Sequence, residues 1–143
     1  MTKSEVKKEF LVPSDLSRVQ KTSAEVLFFL KPLALGDGAL FDIRLCLEEA
    51  LINAMKYGNG LDRDLKVRMT AAYREDRVQI TVEDEGPGFN PQRLKDCTRE
   101  GNLLQNHGRG VYLMHRLMDR VKYNSKGNSV EMIKFFKKNA KEA

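Results

Sequence analysis

Leu65, Val67, Met69 and Ala71 fall on alternate positions, Glu75-Asp76 follows as a turn, and Val78, Ile80 and Val82 then alternate in the same way. Two runs of period two joined across so short a connection fold back on each other as an antiparallel hairpin with one apolar face. That face needs a covering layer. The hairpin therefore commits the chain to an antiparallel or mixed sheet with helices packed on one side.

The remaining elements fit around it. Val6 to Val12 predicts a first strand, ended by Pro13, and Ser14 is the candidate N-cap of a helix. Leu16, Val19, Ser23, Val26, Leu27 and Leu30 follow at helical spacing until Lys31-Pro32 stops them. After a Gly36-Asp37-Gly38 turn, Leu40, Ile43, Leu47, Leu51 and Ala54 mark a second helix, which Gly58-Asn59-Gly60 ends. A short third helix is predicted from Val111. A closing hairpin then runs from Val121 to Ser125 and from Val130 to Phe136, around Lys126-Gly127-Asn128. Residues 86–109 carry glycines, prolines and polar groups with no apolar period, and a lid over a ligand is one standard use of so long a connection.

Composition narrows the class. The 143 residues suffice for one domain, with 41% hydrophobic and 31% charged residues in the balance of a soluble globular protein. No run approaches the roughly 18 apolar residues of a membrane span. The start, MTKSEVKKEF, has no apolar stretch of the signal-peptide kind, so a cytoplasmic protein is expected. Cys46 and Cys97 form no CxxC pair, and with His107 and His115 they suggest no zinc site; Cys46 reads as a buried structural thiol. The net charge of +5 is spread along the chain, densest at Lys134, Lys137, Lys138 and Lys141, without the interleaved aromatics of a single-strand binder. No direct nucleic-acid partner is expected.

Three constellations can carry chemistry. On the second helix, Glu49 and Asn53 stack one turn apart on the side away from Leu40, Leu47 and Leu51, with Lys56 beside them. A carboxamide oxygen suits Mg2+, and a carboxylate one turn away can hold a water or accept a hydroxyl proton. Asp84 shares the parity of Val78, Ile80 and Val82, so it faces the apolar side of the sheet, where a carboxylate needs a donor. An exocyclic amine of adenine is such a donor, and Gly86 and Gly88 let backbone approach a ring. Gly108-Arg109-Gly110 opens the third helix, where backbone amides and the helix N-terminus can receive phosphate. Singly, each is as ordinary as a solvated helix face, a strand-to-loop turn or a flexible loop.

In order and together they resemble the boxes of the GHKL ATP-binding family. EEALINAMKYGNG looks like its N box, DEGPGF its first glycine box and HGRGVYLM its second, and the likeness runs from about residue 6 to 137. The resemblance implies a Bergerat fold: a two-layer α/β sandwich of the α+β class, its mixed, mostly antiparallel sheet covered on one face by helices. It implies a single domain over residues 1–143 with a lid over about 89–109. Within the family the chain looks most like the anti-sigma-factor serine kinases of bacterial partner-switching systems. Neither the phospho-acceptor helix that sensor histidine kinases carry upstream nor the extra domains of gyrase-like relatives is expected here.

The resemblance implies ATP and Mg2+ as cofactors. It makes Asn53 the metal ligand, Glu49 the base for an attacking serine, and Asp84 the partner of the adenine amine. Gly86 and Gly88 would shape the base pocket; Gly108, Arg109, Gly110 and Val111 would form the phosphate cradle. The partners implied are a sigma factor and the antagonist protein that competes for it. A homodimer is implied as well, and Phe10, Leu11, Phe28 and Phe29 are the apolar residues available for its surface. One position departs: where some of these kinases place an arginine, two residues before Gly108, this chain has Asn106. Either Arg109 substitutes or transfer is slow, and in the second case the chain is a nucleotide-dependent binding module for another partner.

Overall fold

The computed structural model describes residues 5–87 and 106–136. Strands β1 (Val6–Pro13), β2 (Lys66–Arg74), β3 (Arg77–Glu83), β4 (Arg120–Tyr123) and β5 (Ser129–Phe135) form one sheet in the order β1-β2-β3-β5-β4. Among the described residues every neighbouring pair is antiparallel, with no parallel pair of a mixed sheet. Helices α1 (Val19–Phe29), α2 (Asp37–Asn53) and α3 (Asn106–Leu117) supply the second layer. Among the described residues no helix is long and apolar enough to cross a membrane.

The register explains why one face is covered. Phe10 pairs with Met69, Met69 with Val82, Val82 with Val130, and Ile80 with Met132. The pleat sends all of these to the same side. There they bury against Val26, Ile43, Leu47 and Leu51 from the helices and Met114 from α3. The alternate positions, Arg68, Thr70, Thr81 and Glu131 among them, face away. Cys46 is a free thiol buried in this core, its Sγ 3.8 Å from the Leu113 carbonyl, and burial pushes its pKa up to about 12.

Two boundaries differ from the sequence reading. Ser14 does not cap a helix: its hydroxyl donates to the Leu65 carbonyl and accepts from the buried Asn59 amide. Asp15 takes over, accepting from the Ser17 amide at the start of a 3-10 turn, Leu16–Arg18, that leads into α1. A buried hydroxyl with two partners gains more from them than from one exposed amide. Second, α3 starts at Asn106, before the glycines, and not at Val111. Two glycines cost a helix about 2 kcal/mol together. The buried stripe of Val111, Met114 and Met118, with Gly110 pressed on α2, outweighs that cost. Most of the expected lid, residues 88–105, lies outside the described residues, as do Gly88 and Cys97.

Candidate functional site

α2 does not end cleanly. It widens into a π-helical turn, Ala54–Gly58, that delivers Gly58 against the end of β3. Turns of this kind often accompany functional sites because they re-aim backbone without breaking the helix. Gly58 lies so close to Asp84 that a methyl group on it would stand 2.3 Å from the carboxyl carbon. A methyl group on Gly86 would stand 1.9 Å from the Gly58 carbonyl oxygen. Asp84, Gly86 and Gly58 are thus one close-packed unit with no room for a side chain at either glycine unless a neighbour shifts.

Asp84 is 8% exposed. Its Oδ1 accepts the Gly86 amide at 2.8 Å. Burial holds its pKa above the ordinary carboxylate value, opposed by the Gly86 amide, raised further by Glu83 and lowered by Lys126. Behind it Asn59, 4% exposed, ties three elements together. Its Oδ1 accepts the Glu85 amide, and its Nδ2 donates to Ser14 and to the Lys66 carbonyl.

The other end of the site is where α3 crosses α2. A methyl group on Gly110 would lie 2.8 Å from Glu49 Oε2 and 3.1 Å from Asn53 Nδ2. Gly110 therefore lets α3 seat directly on the Glu49–Asn53 pair. Among the described residues, Asn53 Nδ2 is the buried side-chain nitrogen or oxygen that lacks a hydrogen-bond partner. A buried amide left unmet costs about 1–3 kcal/mol, and such a cost points to a partner that arrives from outside.

One cleft joins the two ends. It is lined by Ala50 and Asn53 of α2, Ala54 and Gly58 of the π-helical turn, Val82, Asp84, Met114, Gly127 and Asn128 of the β4–β5 connection, and Ser129 and Val130 of β5. Its walls are largely apolar, with Asp84 at one end and Asn53 at the other. A flat apolar group with one outward amine and an anionic tail fits that arrangement. The oxygen donors present also fit a hard cation near Asn53: the Asn53 carboxamide oxygen and the Glu49 carboxylate both lie beside Gly110.

Each residue singled out by sequence has a defined place, with some exceptions. Glu49, Asn53 and Gly110 come together, as do Asp84 and Gly86. Gly108 and Arg109 sit inside the first turns of α3, and the Arg109 side chain lies outside what is described. Gly110 lies within α3, where it packs directly on the Glu49–Asn53 pair of α2. Val111 is 1% exposed and part of the hydrophobic core. The sequence reading missed Asn59, Gly58 and Asn128, which looked like turn residues. Their only signal was position, next to the glycine that ends α2 and in the tip of a hairpin.

Residues 12–134 match the family described as histidine kinase-like ATPase domain. Over 104 residues the chain is 28% identical to the serine-protein kinase RsbW of Listeria monocytogenes, and over 101 residues 32% identical to that of Bacillus subtilis. Those alignments take in 68% and 66% of this chain but 66% and 63% of the relatives, just under two thirds of their length. The anti-sigma F factor of Clostridium perfringens is 29% identical over 128 residues, covering 87% of this chain and 90% of its own. With the family match spanning strands β2 to β5 but for the last residue of β5, and helices α1, α2 and α3, the chain belongs to the histidine kinase-like ATPase domains of the GHKL family.

Proposed function

We propose that this protein binds Mg-ATP in the cleft and acts as an anti-sigma-factor serine kinase, holding a sigma factor and phosphorylating the antagonist that competes for it. The observation that carries the site is the unmet Asn53 amide, buried beside Glu49 under Gly110 and sharing a cleft with the buried Asp84. The names of the relatives support the activity and the partners.

In this reading Asp84 accepts the adenine amine, and Gly86 and Gly88 give the ring its close approach. Asn53 is the protein ligand of Mg2+. Glu49 takes the proton of the attacking serine hydroxyl. Gly108, Arg109, Gly110 and the backbone at Val111 line the phosphate end. Bound Mg-ATP supplies the phosphoryl group and the metal charge that offsets its developing negative charge. The protein acts in the cytoplasm, as a homodimer.

Asn106, in place of an arginine, favours a second reading in which nucleotide sets the conformation and little phosphate moves. Transfer of labelled phosphate from ATP to a serine of the co-purifying antagonist separates the two. Labelling dependent on Glu49 supports the kinase. Binding of ATP and antagonist with no labelling leaves the binding module.

A further inference from the structure

The tip of the β4–β5 hairpin is more than a turn. Asn124 Oδ1 accepts three successive backbone amides, from Gly127 at 2.7 Å, Asn128 at 3.0 Å and Ser129 at 3.2 Å. Asn124 Nδ2 donates to Asn128 Oδ1 at 2.7 Å. This fixes the orientation of the Asn128 amide and turns its Nδ2 toward Asp84, whose carbonyl it meets at 3.0 Å. The Asp84 amide in turn donates to the Asn128 carbonyl at 2.9 Å.

The ladder explains why a side chain is needed. Glu83 and Ser129 are the last paired residues of β3 and β5. The next pair, Asp84 and Asn128, makes one backbone bond. The Asn128 backbone amide is committed to Asn124, so the return bond comes from the Asn128 side chain instead. The sheet is thereby extended by one residue, the one that carries the inward carboxylate. Asn128 also lines the cleft that Asp84 faces.

We propose that Asn128, oriented by Asn124, is a positioning residue for nucleobase selection: it holds the Asp84 backbone so that the carboxylate meets the exocyclic amine of adenine. The proposal rests on the ATP-binding reading above. Asn128 acts through Asp84, so its effect is confined to ligands that bear the amine.

The test is a calorimetric titration of the full chain with two nucleotides, ATP and the triphosphate of unsubstituted purine riboside, which has hydrogen where adenine has its amine. Three proteins are compared: the parent, Asn128→Ala and Asn124→Asp. The aspartate keeps an acceptor for all three turn amides but repels Asn128 Oδ1. The Asn128 amide then turns over and presents oxygen to the Asp84 carbonyl. Thermal melting verifies that each variant is folded, and Asn124→Asp remains informative if Asn128→Ala is not. The expected result is a loss of about tenfold in ATP affinity in both variants, with the purine nucleotide bound as by the parent. An equal loss for both nucleotides, or no loss for either, overturns the positioning role. Failure of the underlying reading looks different: the parent itself binds neither nucleotide, or binds both equally, and the proposal falls with it.

Discussion

A methyl group on Gly110 would press on Glu49 and Asn53 at 2.8 and 3.1 Å, both of them side-chain ends. In the interior of α3 alanine is the better helix former by about 1 kcal/mol. Gly110→Ala is therefore expected to melt no lower than the parent while Mg-ATP affinity drops at least about tenfold; a variant that binds normally would remove Gly110 from the site. Gly86 is the opposite case, because its methyl group would meet backbone, the Gly58 carbonyl, at 1.9 Å. Gly86→Ala should lose about 1–3 kcal/mol of stability, read by denaturant unfolding. Glu49→Gln is nearly isosteric, so ATP binding should persist while transfer slows about 10²–10⁴-fold. Asp84 adds a pH signature. Its folded pKa is raised above the ordinary 3.8, chiefly by burial, so the folded state binds the extra proton. Stability should fall as pH rises from that value through the raised one, and Asp84→Asn should abolish this part of the pH dependence.

At the scale of elements, α3 is held hard at its C-terminal end. Lys134 of β5 donates to the Leu117 carbonyl at 2.7 Å and to Asp42 of α2 at 3.1 Å, both contacts half-sheltered from water. A cation at a helix C-terminus completes its unpaired carbonyls and favours its dipole. Lys134→Met should cost about 1–3 kcal/mol and speed amide exchange in the last turns of α3; unchanged exchange there would mean the contact anchors nothing. The strands and the first two helices were legible because alternation at Val67, Met69 and Ala71, or helical spacing at Ile43, Leu47 and Leu51, is imposed by a single buried face. The start of α3 was not, since glycines at 108 and 110 argue locally against helix, while the packing of Gly110 on Glu49 and Asn53 and of Val111 in the core, which argues for it, is set by distant residues. Asn59, Asn124 and Asn128 were illegible for a related reason. Asparagine is an ordinary turn residue, and which carbonyl its amide reaches depends on strands distant in sequence.

At the scale of the whole molecule, the apolar surface expected for a dimer is smaller than its four residues suggested. Phe10 is in the core, and the Phe29 ring packs on Tyr73 at 5.2 Å. Leu11 and Phe28 remain, 60% and 74% exposed. A homodimer should appear by light scattering, and Phe28→Ser together with Leu11→Ser should shift its mass toward the monomer; a monomeric parent would contradict the proposed assembly. The proposed nucleotide site does not depend on that outcome, since Asn53, Asp84 and the cleft they line belong to one chain. The most direct test is calorimetric titration of ATP into the parent and Asp84→Asn, each with and without Mg2+. The account predicts Mg-dependent binding by the parent and a loss of about tenfold or more in Asp84→Asn. No heat at millimolar nucleotide, or equal affinity in the two proteins, would contradict it.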